Sequence, residues 1–287
     1  MRLVSYLSSE GPKTAAARGQ RYVDLTRAGL PASMRALLAL GQDGLHRAAR
    51  VIAEGPDVDP ATIKKLLAPV PDPRKVICVG LNYADHARES GATPPDEPVL
   101  FNKFPTAVIG NGEPIVLPRL SREVDFEAEL VVVIGRGGRH IPRQRALEHV
   151  AGYCPGHDVS ARDWQLRKPG KQWLLGKTFD TFAPCGPALV THDEVPDPGK
   201  LPIRFRLNGE IMQDSNTEQF IFPVDELIAY VSQICTLEPG DLLFTGTPPG
   251  VGFARKPPVF LKPGDVAEVE IEGLGVLKNP VVAESEL

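Results

Sequence analysis

VDFEAELVVVI, residues 124–134, is the stretch that decides the fold of this 287-residue chain. Acidic and apolar side chains alternate in its first half, as in a β-strand whose successive residues point to opposite faces. Its second half, from Val131 to Ile134, is apolar on both faces, which is typical of a strand buried within a sheet. The sequence therefore predicts a protein built around this strand.

The alternation places three carboxylates on one face of the strand, those of Asp125, Glu127 and Glu129, with about 7 Å between neighbours. Such a row is ordinary on a strand face that water covers. The buried continuation of the strand argues for a different setting, because buried carboxylates need a cation. Oxygen-only ligands select a hard divalent ion such as Mg²⁺, Mn²⁺ or Ca²⁺ over zinc. The pattern alone leaves a solvated face and a metal site both open.

The rest of the chain is rich in turns and short strands. It contains 29 prolines and 27 glycines without a G-X-Y period. The further predicted strands in the second part of the chain are Val99–Asn102, Ala188–Thr191, Ile203–Leu207, Leu242–Thr245 and Val266–Ile271. The predicted helices there are Tyr83–Ser90, Arg143–Val150 and Val224–Gln233. These elements predict a β-rich α+β fold.

A proline-rich segment divides the chain into two predicted domains. Pro69, Pro71 and Pro73 interrupt it just before the apolar strand that begins at Lys75. Short strands and one helical period precede this segment, whereas strands dominate after it. The sequence predicts a small N-terminal α+β domain over residues 1–72 and a larger catalytic domain over residues 73–287.

Composition excludes several classes of protein. The net charge of −4 offers no basic footprint for nucleic acid. The apolar runs are too short to cross a bilayer, and the N-terminus has no signal-peptide pattern. The four cysteines form no C-x-x-C pair, which predicts reduced thiols in a cytoplasmic protein. The chain contains no G-x-S-x-G, H-E-x-x-H or G-x-G-x-x-G motif.

A second chemical signal lies in CVGLNYADHARE, residues 78–89. A buried strand ends at Gly80, Asn82 can cap a helix, and His86 and Glu89 follow on the same helical stripe. A histidine with a carboxylate one turn away is the smallest unit for general-base catalysis, since the acid orients the imidazole. An ordinary ion pair on a helix surface fits the same spacing.

Three further segments carry polar groups, although each alone is more typical of a structural loop than of a site. GHDVSARDWQ, residues 156–165, places ionisable groups beside a tryptophan. GKTFD, residues 176–180, sets a lysine in an apolar context, and GTPPGVG, residues 246–252, is a rigid loop whose amides could hold an anion.

Five of these segments, taken in order, resemble the fumarylacetoacetate hydrolase family. They are CVGLNYADHARE, VDFEAELVVVIG, GHDVSARDWQ, GKTFDTFAPCGP and LEPGDLLFTGTPPGVG, spread over residues 75–252. The resemblance implies a mixed β-sandwich roll for the larger domain, and a homodimer. Residues 1–74 match only in kind, as the small N-terminal domain that many bacterial members carry.

The resemblance also implies a site. Mg²⁺ or Mn²⁺, with Ca²⁺ also suited to such ligands, would be held by Glu127, Glu129 and Asp158. The catalytic residues implied are the His86–Glu89 pair and Lys177. The residues expected to bind substrate are Asn82, Tyr83, Arg162, Gln165, Gly246 and Thr247. Asp125 is not a usual ligand of the family and is interpreted as a support for the ligands or a surface residue.

The main functional hypothesis is a metal-dependent hydrolase that cleaves a C–C bond in a 2,4-diketo acid, such as an acylpyruvate, fumarylpyruvate or a diketo sugar acid. His86, oriented by Glu89, would activate water to attack the 4-carbonyl, and the metal and Lys177 would stabilise the pyruvate enolate that leaves. The group beyond that carbonyl is expected to lie against the Gly91–Pro98 loop.

Two alternatives remain open. The same metal–enolate site would serve an oxaloacetate decarboxylase, or an isomerase or decarboxylase of 2-hydroxyhepta-2,4-dienedioate. A non-enzymatic metal- or ligand-binding protein would require the histidine–glutamate pair and the lysine to be incidental. Small 2-keto acids are the expected partners, with no nucleic acid and no membrane.

Overall fold

Most strands lie in one large mixed sheet. The computed structural model describes residues 1–91 and 93–286, apart from the side chains at positions 90, 171 and 286. Its strands run in the order Arg21–Asp24, Gly11–Arg18, Arg2–Ser8, Leu189–Thr191, Val150–His157, Ala128–Ile134, Leu242–Phe244, Val76–Gly80 and Val99–Lys103, and Lys65–Leu67 also pairs with Arg2–Ser8. All neighbours are antiparallel except the parallel pair of Leu242–Phe244 and Val76–Gly80. The predicted β-rich α+β class is confirmed.

A second, smaller sheet covers one face of the large one. It contains Glu210–Asn216, Pro202–Leu207, Val266–Ile271, Gly275–Ala283 and Ile115–Leu117. Two short ladders join Val124–Asp125 to Ser160–Ala161, and Val108–Ile109 to Ala183–Pro184. Phe126 and Phe205 stack between the sheets, with ring centroids 4.5 Å apart.

The central strand is buried on both sides, as its sequence predicts. Leu130, Val132 and Ile134 belong to the core between the two sheets, whereas Val131 and Val133 belong to the core on the opposite face. That second core is completed by N-terminal helices, so the large sheet lies between two apolar layers.

Helices are short and peripheral. The α-helices are Met34–Ala39, Gly41–Glu54, Ala84–Ser90, Arg162–Arg167, Leu174–Lys177 and Val224–Ile234. The 3₁₀ turns are Thr26–Ala28, Pro60–Thr62, Pro105–Ala107, Arg143–His149, Pro169–Lys171, His192–Glu194, Thr217–Gln219, Gly252–Ala254 and Glu284–Glu286. The helix predicted over 143–150 is therefore a 3₁₀ turn, and its last residue begins a strand. None of the helices described is long and apolar enough to cross a membrane.

The predicted strand over 124–134 is interrupted near Phe126 and Glu127. The interruption lies opposite a break in the neighbouring antiparallel strand, where Val150–His157 ends and Ser160 begins the next strand. The Asp158 amide still donates to the Glu127 carbonyl at 2.9 Å, so the turn at Asp158 stays against the acidic strand.

The domain boundary at residue 72 stays a prediction. Strand Arg2–Ser8 pairs with Leu189–Thr191, so the strands of the N-terminal segment extend the large sheet of the rest of the chain.

Candidate active site and metal centre

Three buried carboxylates meet at the end of the central strand. Glu129 lies in that strand, Glu127 directly precedes it, and Asp158 comes from the turn that follows its antiparallel neighbour Val150–His157. One oxygen from each of the three lies within 4.8 Å of the other two. The acidic segment at the start of the strand and the turn at Asp158 thus bring three carboxylates together.

Lys177 lies among these carboxylates. Its ammonium is 2.8 Å from Glu127 Oε2 and 2.8 Å from Asp158 Oδ2, and its side chain is 2% exposed. Burial would lower the pKa of Lys177, but the charges of Asp158 and Glu127 outweigh it and hold the pKa above its usual value. Burial likewise opposes ionisation of Glu127, yet Lys177 and Arg162 bring the pKa of that carboxyl down to about 2.

A second buried lysine, Lys103, holds Asp158 from the other side. Its ammonium lies 2.6 Å from Asp158 Oδ1 and donates to the backbone carbonyls of Val159, Phe182 and Lys177. The sequence argument missed this residue. Its only signal is a lysine directly after the predicted strand Val99–Asn102.

Arg162 and Asp125 form a buried ion pair beside the cluster. Arg162 Nε lies 2.8 Å from Asp125 Oδ2, and its Nη2 lies 2.7 Å from Glu127 Oε1. The backbone amides of Gly252 and Phe253 donate to the two oxygens of Asp125. Asp125 therefore supports Arg162 and the strand from a fully buried position and is not a surface residue.

Glu129 is the carboxyl of the cluster whose ionisation is most strongly opposed. It accepts a hydrogen bond from the Gly246 amide at 2.8 Å. Burial, then the charges of Asp158 and Glu127, raise its pKa well above the usual value.

A divalent cation fits this arrangement of charges. The buried acids are Asp125, Glu127, Glu129 and Asp158, against the buried cations Lys103, Arg162 and Lys177. With all seven groups ionised, one negative charge is in excess, and a hard cation held by the oxygen ligands that it prefers would favour the ionised form of Glu129. In addition, Asp158 Oδ1 accepts no hydrogen bond within the described chain, despite the nearby Lys103 ammonium.

His86 and Glu89 form the predicted pair. His86 Nδ1 lies 3.2 Å from Glu89 Oε2, and the Gly250 amide donates to both oxygens of Glu89, at 3.1 and 3.2 Å. Gly250 belongs to the glycine-rich loop of residues 246–252, so this loop fixes the orientation of the pair.

One cavity of about 490 Å³ brings these groups together. Its polar lining comprises His86, Glu89, Glu127, Glu129, Arg162, Gln165, Lys177 and Thr247. The described part of the Gly91–Pro98 loop is not among its lining residues, and residue 92 lies outside the described chain.

Comparison with known proteins is decisive for the family. The family model described as Fumarylacetoacetate (FAA) hydrolase C-terminal matches residues 75–282. The chain belongs to the fumarylacetoacetate hydrolase family. It is an enzyme of this family, with a carboxylate cluster that could bind a metal ion.

Individual relatives of this family show the range of activities. The chain is 49% identical over 288 residues to "Oxaloacetate tautomerase fahd2, mitochondrial" from Xenopus laevis, covering 98% of this chain and 90% of the relative. Its structure resembles fumarylacetoacetate hydrolase from Exiguobacterium antarcticum, with TM-score 0.85, 36% identity, and 99% and 100% of the two chains covered. It also resembles maleylpyruvate hydrolase from Sphingobium sp. SYK-6, solved with Mn²⁺ and pyruvate, with TM-score 0.82, 29% identity and 99% of each chain covered.

The cytoplasmic location predicted from the cysteines is wrong by this comparison, because the Xenopus relative is named as a mitochondrial protein. Cysteines without a disulfide are typical of reducing compartments. They do not distinguish the cytosol from other reducing compartments, and the prediction had no further basis.

The residues expected to bind substrate divide into two groups. Arg162, Gln165 and Thr247 line the cavity, whereas Asn82, Tyr83 and Gly246 are not among its lining residues. The Asn82 amide is instead bonded to backbone groups of Phe222 and Thr245, so it neither caps the helix nor reaches the cavity.

Tyr83 and Gly246 lie near the site but do not line the cavity. Tyr83 is fully buried against Phe220, and burial, then the charge of Glu129, raises the pKa of its hydroxyl well above the usual value. The Gly246 amide, expected to hold a substrate carboxylate, donates to Glu129 instead. The loop of residues 246–252 thus binds anions, but they are the protein's own carboxylates.

Proposed function

We propose that this protein catalyses the keto–enol tautomerisation of oxaloacetate with a divalent ion, Mg²⁺ or Mn²⁺, at Glu127, Glu129 and Asp158. The observation that carries the proposal is the shared cavity, which is lined by Glu127 and Glu129 of the three-carboxylate cluster, by Lys177 and by the His86–Glu89 pair. The name of the Xenopus relative supports oxaloacetate as the substrate.

The charged groups suit an enolate. When bound, the ion supplies positive charge that stabilises an enolate oxygen. Lys177 is a second, permanently charged donor at the same place, because its ammonium stays ionised between Glu127 and Asp158.

The His86–Glu89 pair moves the proton. Glu89, held by the Gly250 amide, orients the imidazole, which removes a proton from carbon 3 of the keto acid. The electron pair of the broken C–H bond forms the C2–C3 double bond, the C=O π pair moves to the oxygen, and that oxygen takes up the proton that the His86 imidazole removed. The reaction is an isomerisation and consumes no water.

Ultraviolet absorbance of the oxaloacetate enol tests this proposal. With Mg²⁺ or Mn²⁺ present, the protein should accelerate the keto–enol exchange well above the uncatalysed rate, without releasing pyruvate. An exchange rate equal to that of buffer with the same ion would contradict the proposal.

A second candidate is C–C hydrolysis of a 2,4-diketo acid. The His86–Glu89 pair favours it, since a histidine oriented by a carboxylate can equally activate water. The hydrolase from Sphingobium, solved with pyruvate, adds support. Pyruvate release from acylpyruvates, without acceleration of oxaloacetate exchange, would replace tautomerisation by hydrolysis.

A further inference from the structure

Part of the cavity lining is an apolar wall. The wall consists of Val79, Phe101, Leu166, Trp173, Val251 and Phe253. Neither the metal ligands nor the histidine–glutamate pair needs such a surface, so the wall is available to the substrate.

This wall begins directly at the catalytic lysine. The Lys177 ammonium lies 5.0 Å from the centroid of the Phe101 ring. Phe101 in turn meets Trp173 edge to face, with ring centroids 5.5 Å apart and an interplanar angle of 67°. A keto acid whose enolate oxygen lies at Lys177 can place the substituent on carbon 3 next to these two rings.

Strand Val76–Gly80 leaves space for the Trp173 indole at its end. A Cβ atom placed on Gly80 would lie 2.3 Å from Trp173 Cζ3, far inside van der Waals contact. The absence of a side chain at Gly80 lets the six-membered ring of the indole contact the end of strand Val76–Gly80. The Trp173 ring is therefore a packed part of the apolar wall.

The permanently charged side chains of the cavity are already engaged. Arg162 donates to Asp125 and Gln165 and pairs with Glu127, and Lys177 pairs with Glu127 and Asp158. A second carboxylate on the substrate would therefore compete with Asp125, Glu127 and Asp158 for these two cations. An uncharged ring gains apolar and aromatic contact with the wall.

We propose that the enzyme also tautomerises arylpyruvates, 2-keto acids with an aromatic ring on carbon 3, and that Phe101 and Trp173 bind this ring. The inference rests on the proposed tautomerase chemistry. The bond changes are the same as those proposed for oxaloacetate. The C3–H bond breaks, its electron pair forms the C2–C3 double bond, and the carbonyl oxygen takes up the proton removed from carbon 3. No oxidant or second substrate is needed.

Phenylpyruvate is the probe for this experiment. Its keto–enol exchange is measured beside that of oxaloacetate, with Mn²⁺ in both, for the wild type and the wall variants Trp173→Ala and Phe253→Ala. Phe253 is 44% exposed, so its truncation keeps the experiment informative if the Trp173 variant does not fold. Trp164→Ala is the matched control, because that indole bonds to the Leu120 carbonyl and is not a lining residue of the cavity.

We expect the wild type to accelerate phenylpyruvate exchange. The ratio of kcat/KM for phenylpyruvate to that for oxaloacetate should fall about tenfold in Trp173→Ala and a few-fold in Phe253→Ala, and stay within about twofold in Trp164→Ala. Acceleration of oxaloacetate alone, or an unchanged ratio in the folded wall variants, would overturn the inference.

The two proposals can fail separately in this assay. Acceleration of phenylpyruvate without oxaloacetate would overturn oxaloacetate as substrate and support the role of the wall. Acceleration of neither substrate would overturn both proposals.

Discussion

Lys177 is a buried cation that carboxylates keep charged. Its ammonium is 2.8 Å from oxygens of both Glu127 and Asp158, and these charges offset the cost of its burial. During turnover the same ammonium can face an enolate oxygen. Its charge is therefore held in place before the substrate arrives.

Replacing Lys177 by methionine keeps the apolar stem and removes the charge. We expect kcat to fall at least about 100-fold, since one preorganised contact to developing charge is worth about 3–4 kcal/mol. Mn²⁺ should bind more tightly, because a competing cation is gone. Lys168→Met is the control, since Lys168 lies over the Trp164 ring and is not a lining residue of the cavity. A Lys177 variant with kcat within a few-fold of the wild type would contradict the role.

His86→Ala tests the proton-transfer role. Loss of a positioned base should lower kcat by about 10²–10⁴-fold and leave Mn²⁺ affinity unchanged, because His86 is not proposed as a ligand. Glu89→Gln should cause a smaller loss, since Glu89 acts by orienting the ring. If kcat and Mn²⁺ affinity fell together in steady-state and calorimetric measurements, the assignment would be wrong.

Lys103 contributes mainly to stability. Its ammonium forms an ion pair with Asp158 and donates to the carbonyls of Val159, Lys177 and Phe182. The residue is 1% exposed. Lys103→Met removes one cation from the buried Asp158 carboxylate and the ammonium donor from these carbonyls, so the free energy of unfolding in urea should fall by about 3–5 kcal/mol. Lys65→Met, which removes a surface pair with Glu113, should change it by less than about 1 kcal/mol. Equal stability of the two variants would exclude this role.

These residues also mark what the sequence could predict. Glu127 and Glu129 were predictable because strand alternation is local. Lys103 was not, since its partners lie at positions 158–182, and only the fold brings them to the end of its strand. Asn82 fits a helix cap by its spacing, yet tertiary contacts with Phe222 and Thr245 use its amide.

The glycine-rich loop of residues 246–252 organises the carboxylates from its backbone. The amides of Gly246, Gly250 and Gly252 donate to Glu129, Glu89 and Asp125 respectively. The sequence indicated an anion-binding loop. It could not indicate that the anions belong to the protein, because the three acids lie more than 100 residues away.

Gly250→Ala should disturb this element. Gly250 has φ +98°, and an added Cβ would lie 2.2 Å from the Met212 carbonyl oxygen, so the loop must move and release Glu89. Both the melting temperature and kcat should fall, with kcat lower by at least about tenfold. Gly264→Ala is the control for backbone strain alone, since Gly264 has φ +89° and open space around it. Equal kcat in the two variants would show that the loop does not position the pair.

At the scale of the whole molecule, the site lies at the end of the central strand, in a sheet that is covered on both faces. Alternate residues of the central strand belong to two separate apolar cores, so the site rests on a rigid support. A core of this size should stand without the ion. We therefore expect the circular dichroism spectrum to survive treatment with a chelator, whereas activity is lost and then restored by Mg²⁺ or Mn²⁺.

Calorimetric titration of the chelator-treated protein with Mn²⁺ tests the central claim most directly. We predict one ion per chain, and binding at least about 100-fold weaker in Glu129→Gln, since outer-shell groups alone are worth about 10–100-fold. Glu148→Gln, which alters a surface carboxylate paired with Arg145, should bind Mn²⁺ like the wild type. Absence of binding, or equal affinity in the wild type and Glu129→Gln, would contradict the account.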